Sequence, residues 1–292
     1  MSSPRISIVV VAEDGPQQQP DQALARSLDS SVDQLDEGGI QRILAGRPAE
    51  VWTDRDDLDR LVMPGASPAE LRNAALAACK APLVVLLEAS EQLAPNALER
   101  HVSALEGEEC VASYGRTAVR DEEGRTRSLP QRGKGGEVQA QLLRDRHLLA
   151  SSAALVWRRE ALGEAPFSDH DTAPARRLDL ALRLARGHTF SFHPTVVAER
   201  SAEHLGMSEL EELVRVLVGL VFSPDSLPPE LEEPARRRLA RHLVGMGKLH
   251  YRAEDYPRAG KLFDEAVRTA PNYFRGRRYQ FLNFVKNTIS RG

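Results

Sequence analysis

Short aliphatic runs alternate with amphipathic segments along the first two thirds of the chain. Ile6–Ala12 and residues 83–87 are too short for buried helices and are rich in Val, Ile and Leu, so both predict strands within a sheet. The segment that follows the first run carries apolar residues at helical spacing after a predicted cap at Asp21, namely Leu24, Leu28, Val32 and Leu35. Alternation of strands and helices predicts a doubly wound α/β layer.

A helix is predicted to begin at Ser67, because Glu70 follows three residues later and completes a capping box. This helix leads into the strand at 83–87, which ends on the acidic residues Glu88 and Glu91. The carboxyl ends of parallel strands are where such folds bind ligands. The acids are therefore predicted to lie in a binding site.

The remaining pattern completes the α/β layer and then changes to helices. Further strands are predicted at 40–44, 50–53, 61–63, 110–114, 148–157 and 189–197, with the order of the first three left open, and further helices from Pro95, over 178–185 and over Met207–Phe222. Residues 119–136, rich in Gly and Arg, predict a long loop that is either a substrate lid or a solvated excursion. We predict an α/β domain over 1–208 and a helical module over 209–292.

Charge is distributed unevenly over the 292 residues. Residues 235–292 hold 14 Lys and Arg against 4 Asp and Glu, a net charge of +10; because the whole chain carries −3, the preceding residues carry −13. Such a basic tail meets phosphate, an anionic lipid surface or the acidic body of the same chain, and no nucleic-acid partner is expected. Cys79 and Cys110 are too far apart in sequence to indicate a disulfide framework or a thiolate metal site.

The absence of any run near the ~20 apolar residues that span a bilayer leads us to expect a cytoplasmic protein, either free or peripheral to the inner membrane face. The tail matches the spacing of one tetratricopeptide unit at Leu243, Met246, Gly247, Tyr251, Tyr256, Ala259, Phe263, Ala266 and Pro271. One unit cannot bury its own face. It is therefore expected to pack on the helix at 210–222 or on the aromatic segment 273–284.

Five segments, taken in order, resemble the motifs of the bacterial family-2 glycosyltransferases. They are Ile6–Ala12, Arg72-Asn73, residues 83–91, residues 179–183, and the triplet Arg200, His204 and Ser208. The resemblance implies a GT-A fold, with a doubly wound mixed sheet and a small all-α module after it. It also implies transfer of a sugar from a nucleotide diphospho-sugar to a glycan or lipid-linked acceptor in bacterial glycan synthesis. The basic module would bind a protein or membrane partner.

The same resemblance assigns roles to individual residues. It implies donor binding by Ala12, Glu13, Arg72, Asn73, Glu88 and Arg177, and a divalent metal, Mg²⁺ or Mn²⁺, held by Glu88, Glu91 and His204. Chemically, a departing nucleoside diphosphate needs a metal or cationic side chains to neutralise its charge. Hard cations take oxygen ligands, which carboxylates supply.

The chain also departs from the family pattern. Ser90 replaces one metal-binding aspartate, and Arg176 and Arg177 stand where the acid pair with the catalytic base is expected; arginine cannot act as a base. The base candidates nearby are Asp169, Asp171 and Asp179. Two hypotheses follow: an active transferase, or a catalytically inactive relative that serves as a binding or scaffold partner.

Overall fold

The computed structural model describes residues 3–12, 20–35, 39–46, 56–88, 91–107, 109–145, 147–170, 172–202, 205–223 and 227–289. The chain divides into two compact units. The first comprises Met1–His170 and Leu180–Glu203, and the second comprises Asp171–Asp179 and His204–Gly292.

The first unit is built around one mixed sheet. Its strands are β1 (Ile6–Ala12), β2 (Ile40–Gly46), β3 (Asp59–Val62), β4 (Leu83–Glu88), β5 (Glu91–Leu93), β6 (Ala112–Arg120), β7 (Thr126–Ser128), β8 (Gly136–Glu137), β9 (Leu155–Arg158) and β10 (Thr189–Ser201). Its helices are α1 (Pro20–Asp29), α2 (Pro68–Ala78), α3 (Ala97–Leu105), α4 (Gln139–Arg144), α5 (Arg159–Leu162) and the later part of α6 (Ala173–Leu184). Within the described residues the sheet has ten strands.

The strand order places a reversal of winding at the middle of the sheet. Eight strands run in the order β3-β2-β1-β4-β9-β6-β10-β5, with β7 paired to β6 and β8 to β10. β1 lies between β2 and β4 and is parallel to both, whereas β9 is antiparallel to β4. After β1 the chain adds β2 and β3 on one side of it and β4 on the other, so the winding reverses between β1 and β4. The carboxyl ends of these two parallel strands lie together, and the register sets Val11 opposite Glu88. The predicted α/β class with a mixed sheet is confirmed.

The capping box predicted at Ser67 is confirmed. The Glu70 N–H donates to Ser67 Oγ at 3.2 Å, and the Ser67 N–H donates to Glu70 Oε2 at 2.7 Å. These hydrogen bonds lower the pKa of Glu70. The cap sets the start of α2, which buries Leu71 and Ala75 on the side that contacts β1 and β2.

Residues 119–136 form the predicted long loop only in part, because strands occupy its two ends and residues 126–128. β6 continues to Arg120, and β7 turns back to pair with it. The buried Gln131 accepts a hydrogen bond from the Thr117 N–H at 2.7 Å, and Tyr114 donates its hydroxyl to the Lys134 carbonyl at 2.7 Å. Burial raises the pKa of Tyr114 to about 12. Polar composition misled the prediction because the partners of this segment lie elsewhere in the sequence.

Several predicted boundaries also change. β9 begins at Leu155 rather than at residue 148, β10 continues to Ser201, and α6 begins at Ala173. Asp21 lies inside α1 rather than at its cap. The strand predicted at 50–53 lies outside the described residues.

The second unit consists of helices. They are α7 (Met207–Phe222), α8 (Pro229–Arg252), α9 (Tyr256–Thr269) and α10 (Phe274–Ile289), together with the first part of α6. A three-residue turn joins α8 to α9, and Gly247 lets the two helices approach: a Cβ there would lie 2.5 Å from Phe263 Cε1. The stacked rings of Phe263 and Tyr279 connect α9 to α10. Likeness to a tetratricopeptide unit stays a prediction.

No described helix is long and apolar enough to cross a bilayer.

His101 is fully buried between α3 and the sheet. Its Nδ1 lies 3.0 Å from Ser113 Oγ on β6, and its ring meets that of His193 on β10 edge to face at 5.4 Å. Burial, with a smaller contribution from His193, lowers the pKa of His101 to about 3. Between about pH 3 and pH 6.5, therefore, the unfolded chain binds a proton at His101 and the folded chain excludes it.

This exclusion makes stability depend on pH. Below the ordinary histidine pKa of about 6.5, protonation of the unfolded state lowers the free energy of unfolding, by about 2 kcal/mol between pH 8 and pH 5. We expect His101→Gln to remove this contribution in urea unfolding measured at both pH values. His188→Gln, at an exposed position, is the control and should keep the wild-type dependence. Equal pH dependence in all three proteins would contradict the prediction.

Candidate functional site

Polar side chains gather at the carboxyl ends of the central strands. β4 ends at Glu88, and β5 begins at Glu91 and runs antiparallel to β10, with Glu91 opposite Arg200. In open α/β sheets the point where the winding reverses is the usual ligand crevice. The end of β4 and the start of β5 are therefore the centre of the candidate site.

Arg72 and Glu88 form an ion pair at the end of β4. Arg72 Nη2 donates to Glu88 Oε1 and Oε2 at 3.3 and 3.2 Å, and Arg72 Nη1 donates to the Pro68 carbonyl at 3.1 Å. The Arg72 side chain is 2% exposed and that of Glu88 is 16% exposed. The structure thus brings together two residues that were predicted to bind the sugar donor, and the Glu88 side chain is the more exposed of the two.

Glu91 has a different environment, because its carboxylate is buried with the residue 1% exposed. Its Oε1 accepts from the Ser152 N–H at 2.8 Å, and its Oε2 accepts from the N–H groups of Ala153 at 3.0 Å and Glu88 at 3.3 Å. A buried carboxylate is costly unless such donors satisfy it. Glu91 therefore fixes the segment before β9 against the end of β4.

These contacts explain why β9 begins at Leu155 and not at the predicted residue 148. The N–H groups of Ser152 and Ala153 donate to a side chain, so this stretch does not extend the strand. Ser27 on α1 adds a third connection, since its hydroxyl lies 3.2 Å from the Glu88 carbonyl and also bonds the Glu91 carbonyl. The sequence analysis assigned no role to Ser27, Ser152 or Ala153. The small residues Ser151 and Ser152 are the only sequence signal for an interrupted strand.

Asn73, which was predicted together with Arg72 to bind the sugar donor, holds the backbone of a neighbouring loop. Its Nδ2 donates to the Phe167 carbonyl at 3.1 Å, and its Oδ1 accepts from the Phe167 N–H at 3.0 Å. The Arg183 guanidinium donates to the Pro166 carbonyl in the same loop. Asn73 thus fixes the backbone just before Asp169, whose side chain is exposed.

The other predicted site residues fall in three places. The backbone of Ala12 ends β1 opposite Gly46, whereas its side chain and residues Glu13, Asp171 and His204 lie outside the described parts of the chain. Arg177 and Asp179 lie on α6, in the stretch that belongs to the second unit, and both are partly buried. Their proposed roles in donor binding and catalysis stay predictions.

The described residues do not provide a divalent-metal site. No three His, Cys, Asp or Glu side chains converge on a possible cation position among the residues that the structure describes. The oxygens of Glu88 face a guanidinium, and those of Glu91 face backbone N–H groups, so both carboxylates are already neutralised or hydrogen-bonded within the protein. This donor set does not fit Mg²⁺ or Mn²⁺, which need free oxygen ligands. The contribution of His204 stays a prediction.

Comparison with solved structures identifies the fold. The chain is similar to crystal structures of residues 1–349 of TarS from S. aureus, determined without a named ligand, with UDP and with UDP-GlcNAc. The TM-scores are 0.60, 0.61 and 0.61 at 11, 12 and 12% identity, over 99% of this chain and 92% of each TarS chain. At this identity the likeness shows the fold. The predicted fold class, an α/β unit of this kind followed by a helical module, is confirmed.

The sequence comparisons give no further assignment. No protein-family model matches the chain, and no curated protein matches it.

The hydrogen bonds of Glu91 predict a large effect on stability. Glu91→Gln removes the charge and turns an amide N–H₂ toward backbone donors, so we expect a loss of about 2–4 kcal/mol in the free energy of unfolding. Glu99→Gln is the control, because Glu99 is exposed on α3. Urea denaturation followed by circular dichroism measures both variants. A Glu91→Gln protein as stable as the control would show that these contacts contribute little.

Proposed function

We propose that this chain binds a nucleotide diphospho-sugar and transfers the sugar to an acceptor in bacterial glycan synthesis. The observation that carries the proposal is the shared fold over 99% of the chain with a protein crystallised with UDP and UDP-GlcNAc. The position of Arg72, Asn73 and Glu88 at the edge where the winding reverses supports the same site. The family resemblance in the sequence points in the same direction.

In the proposed reaction the acceptor hydroxyl forms a bond to the anomeric carbon of the sugar. The bond from that carbon to the diphosphate oxygen breaks, and the nucleoside diphosphate leaves with the electron pair. The hydroxyl proton passes to a base, for which Asp169, Asp171 and Asp179 are the proposed candidates. We assign Glu88 to contact with hydroxyl groups of the sugar donor, because its side chain is the more exposed member of the ion pair. Arg72, which is buried behind it, positions that carboxylate.

A second function is favoured by a specific observation. The carboxylates of Glu88 and Glu91 are held by partners within the protein, and Arg176 and Arg177 occupy the segment where the resemblance expects a catalytic base. An inactive protein that binds a nucleotide sugar would keep the fold and the ion pair without a base. Binding and turnover therefore have to be measured separately.

Nucleotide binding is tested by thermal unfolding with UDP, GDP and dTDP, each with and without Mn²⁺. We expect one nucleotide to stabilise the protein, by about 2.7 kcal/mol at about 100 times its Kd, and Glu88→Gln to weaken that effect. Each variant is compared with its own ligand-free transition, so that a stability change is not mistaken for lost binding. Glu99→Gln should behave as wild type. The donor-site proposal fails if no nucleotide stabilises the wild-type chain.

Turnover is tested by release of nucleoside diphosphate from UDP-GlcNAc and related donors in the presence of candidate glycan acceptors. Continuous release by the wild type, reduced in Glu88→Gln, supports the transferase. Nucleotide binding without release favours the inactive binding protein.

A further inference from the structure

The outer face of α10 carries apolar and basic side chains together. Phe274, Phe281 and Phe284 are 73, 65 and 68% exposed, and Leu282 and Val285 are 36 and 37% exposed. Four basic residues of the same helix are also exposed, namely Arg275, Arg277, Arg278 and Lys286. The segment 274–289 contains no acidic residue.

The helical period arranges these residues on one surface. At about 100° per residue, Phe274, Phe281 and Val285 fall along one line of the helix. Arg277 and Arg278 lie on either side of that line, so that cationic groups flank the phenyl rings.

The opposite face of α10 is already used within the second unit. The buried Asn283 donates to the Tyr256 carbonyl at 3.1 Å, and the ring of Tyr279 stacks on that of Phe263. At Gly276 a Cβ would lie 3.4 Å from Val267 Cγ2, so this side packs closely on α9. These contacts hold the helix with its apolar and basic surface directed away from α9.

Charge identifies the kind of surface that this face fits. Arg275, Arg277, Arg278 and Lys286 form no ion pair with an acidic side chain of the described residues. Residues 235–292 as a whole carry a net charge of +10. The partner must therefore supply negative charge and an apolar layer next to it, because the phenyl rings lie between the cations.

We propose that α10 docks on an anionic phospholipid surface. Phenyl rings enter the boundary between headgroups and acyl chains, while arginine and lysine reach the phosphates, their stems lying along the apolar layer. A bilayer interface provides both chemistries over a flat area, whereas a protein partner would need an apolar groove bordered by acids. This inference is independent of the proposed transfer reaction.

Vesicle co-sedimentation of the full chain tests the proposal. The vesicles are phosphatidylcholine alone or a 70:30 mixture of phosphatidylcholine and phosphatidylglycerol, prepared at low and high salt. We expect binding to the mixture only, weakened by salt because the surface charge is screened. Absence of binding to the anionic vesicles would overturn the proposal.

Variants separate this face from general charge. Arg277→Gln/Arg278→Gln should weaken binding about 30-fold, as two charges near an anionic surface predict. Phe274→Ser/Phe281→Ser should also weaken binding without changing the unfolding temperature, because both rings are exposed. Arg252→Gln/Lys261→Gln removes the same charge from exposed positions of α8 and α9 and should retain most of the binding.

Two results would contradict the assignment of this face of α10 to an anionic membrane surface. If Arg277→Gln/Arg278→Gln and Arg252→Gln/Lys261→Gln weaken binding equally, the tail acts through its net charge and the proposed face is wrong. If light scattering shows a concentration-dependent dimer that Phe274→Ser/Phe281→Ser abolishes, a second copy of the chain covers the face, and the membrane proposal is likewise overturned.

Discussion

The buried carboxylate of Glu91 is the constraint on which the candidate site depends. A carboxylate that is almost inaccessible to water must be satisfied by donors within the protein. Its donors are the N–H groups at the end of β4 and in the segment before β9. One side chain thereby connects the end of β4, where Glu88 lies beside Arg72, to the segment before β9 and delays the start of that strand.

This arrangement changes the interpretation of the acidic residues at the end of β4 and the start of β5. From sequence, Glu88 and Glu91 form a pair of equivalent metal ligands, but they have separate environments in the structure. Glu91 supports the backbone, and Glu88 is neutralised by a buried arginine. The ion pair has no net charge, so it does not itself offset the negative charge of a diphosphate.

The elements that sequence predicted well have their signals close together. β1 is one aliphatic run, α2 has a complete capping box, and α7 has an uninterrupted apolar face, so each was located at or near its observed bounds. The fold class followed from their order. Local pattern was sufficient for these elements because their own residues supply the capping contacts and the buried face.

The parts that were missed depend on partners distant in sequence. Gln131 is held by Thr117, Ser152 by Glu91, and Ser27 by the carbonyl of Glu88, and none of these pairs has a recognisable spacing. The adjacency of Arg72 and Glu88 was suggested only by the family resemblance. The pairing itself, and the burial of the arginine, required the structure, because they depend on how α2 packs on β1 and β2.

Hydrogen exchange measured by mass spectrometry, with and without saturating UDP, tests most directly whether the edge at β1 and β4 is the donor site. We predict that UDP slows amide exchange in peptides that cover Ile6–Ala12 and residues 83–93, with little change in peptides from α8 to α10. Unchanged exchange at β1 and β4, or protection confined to the C-terminal helices, would contradict the account.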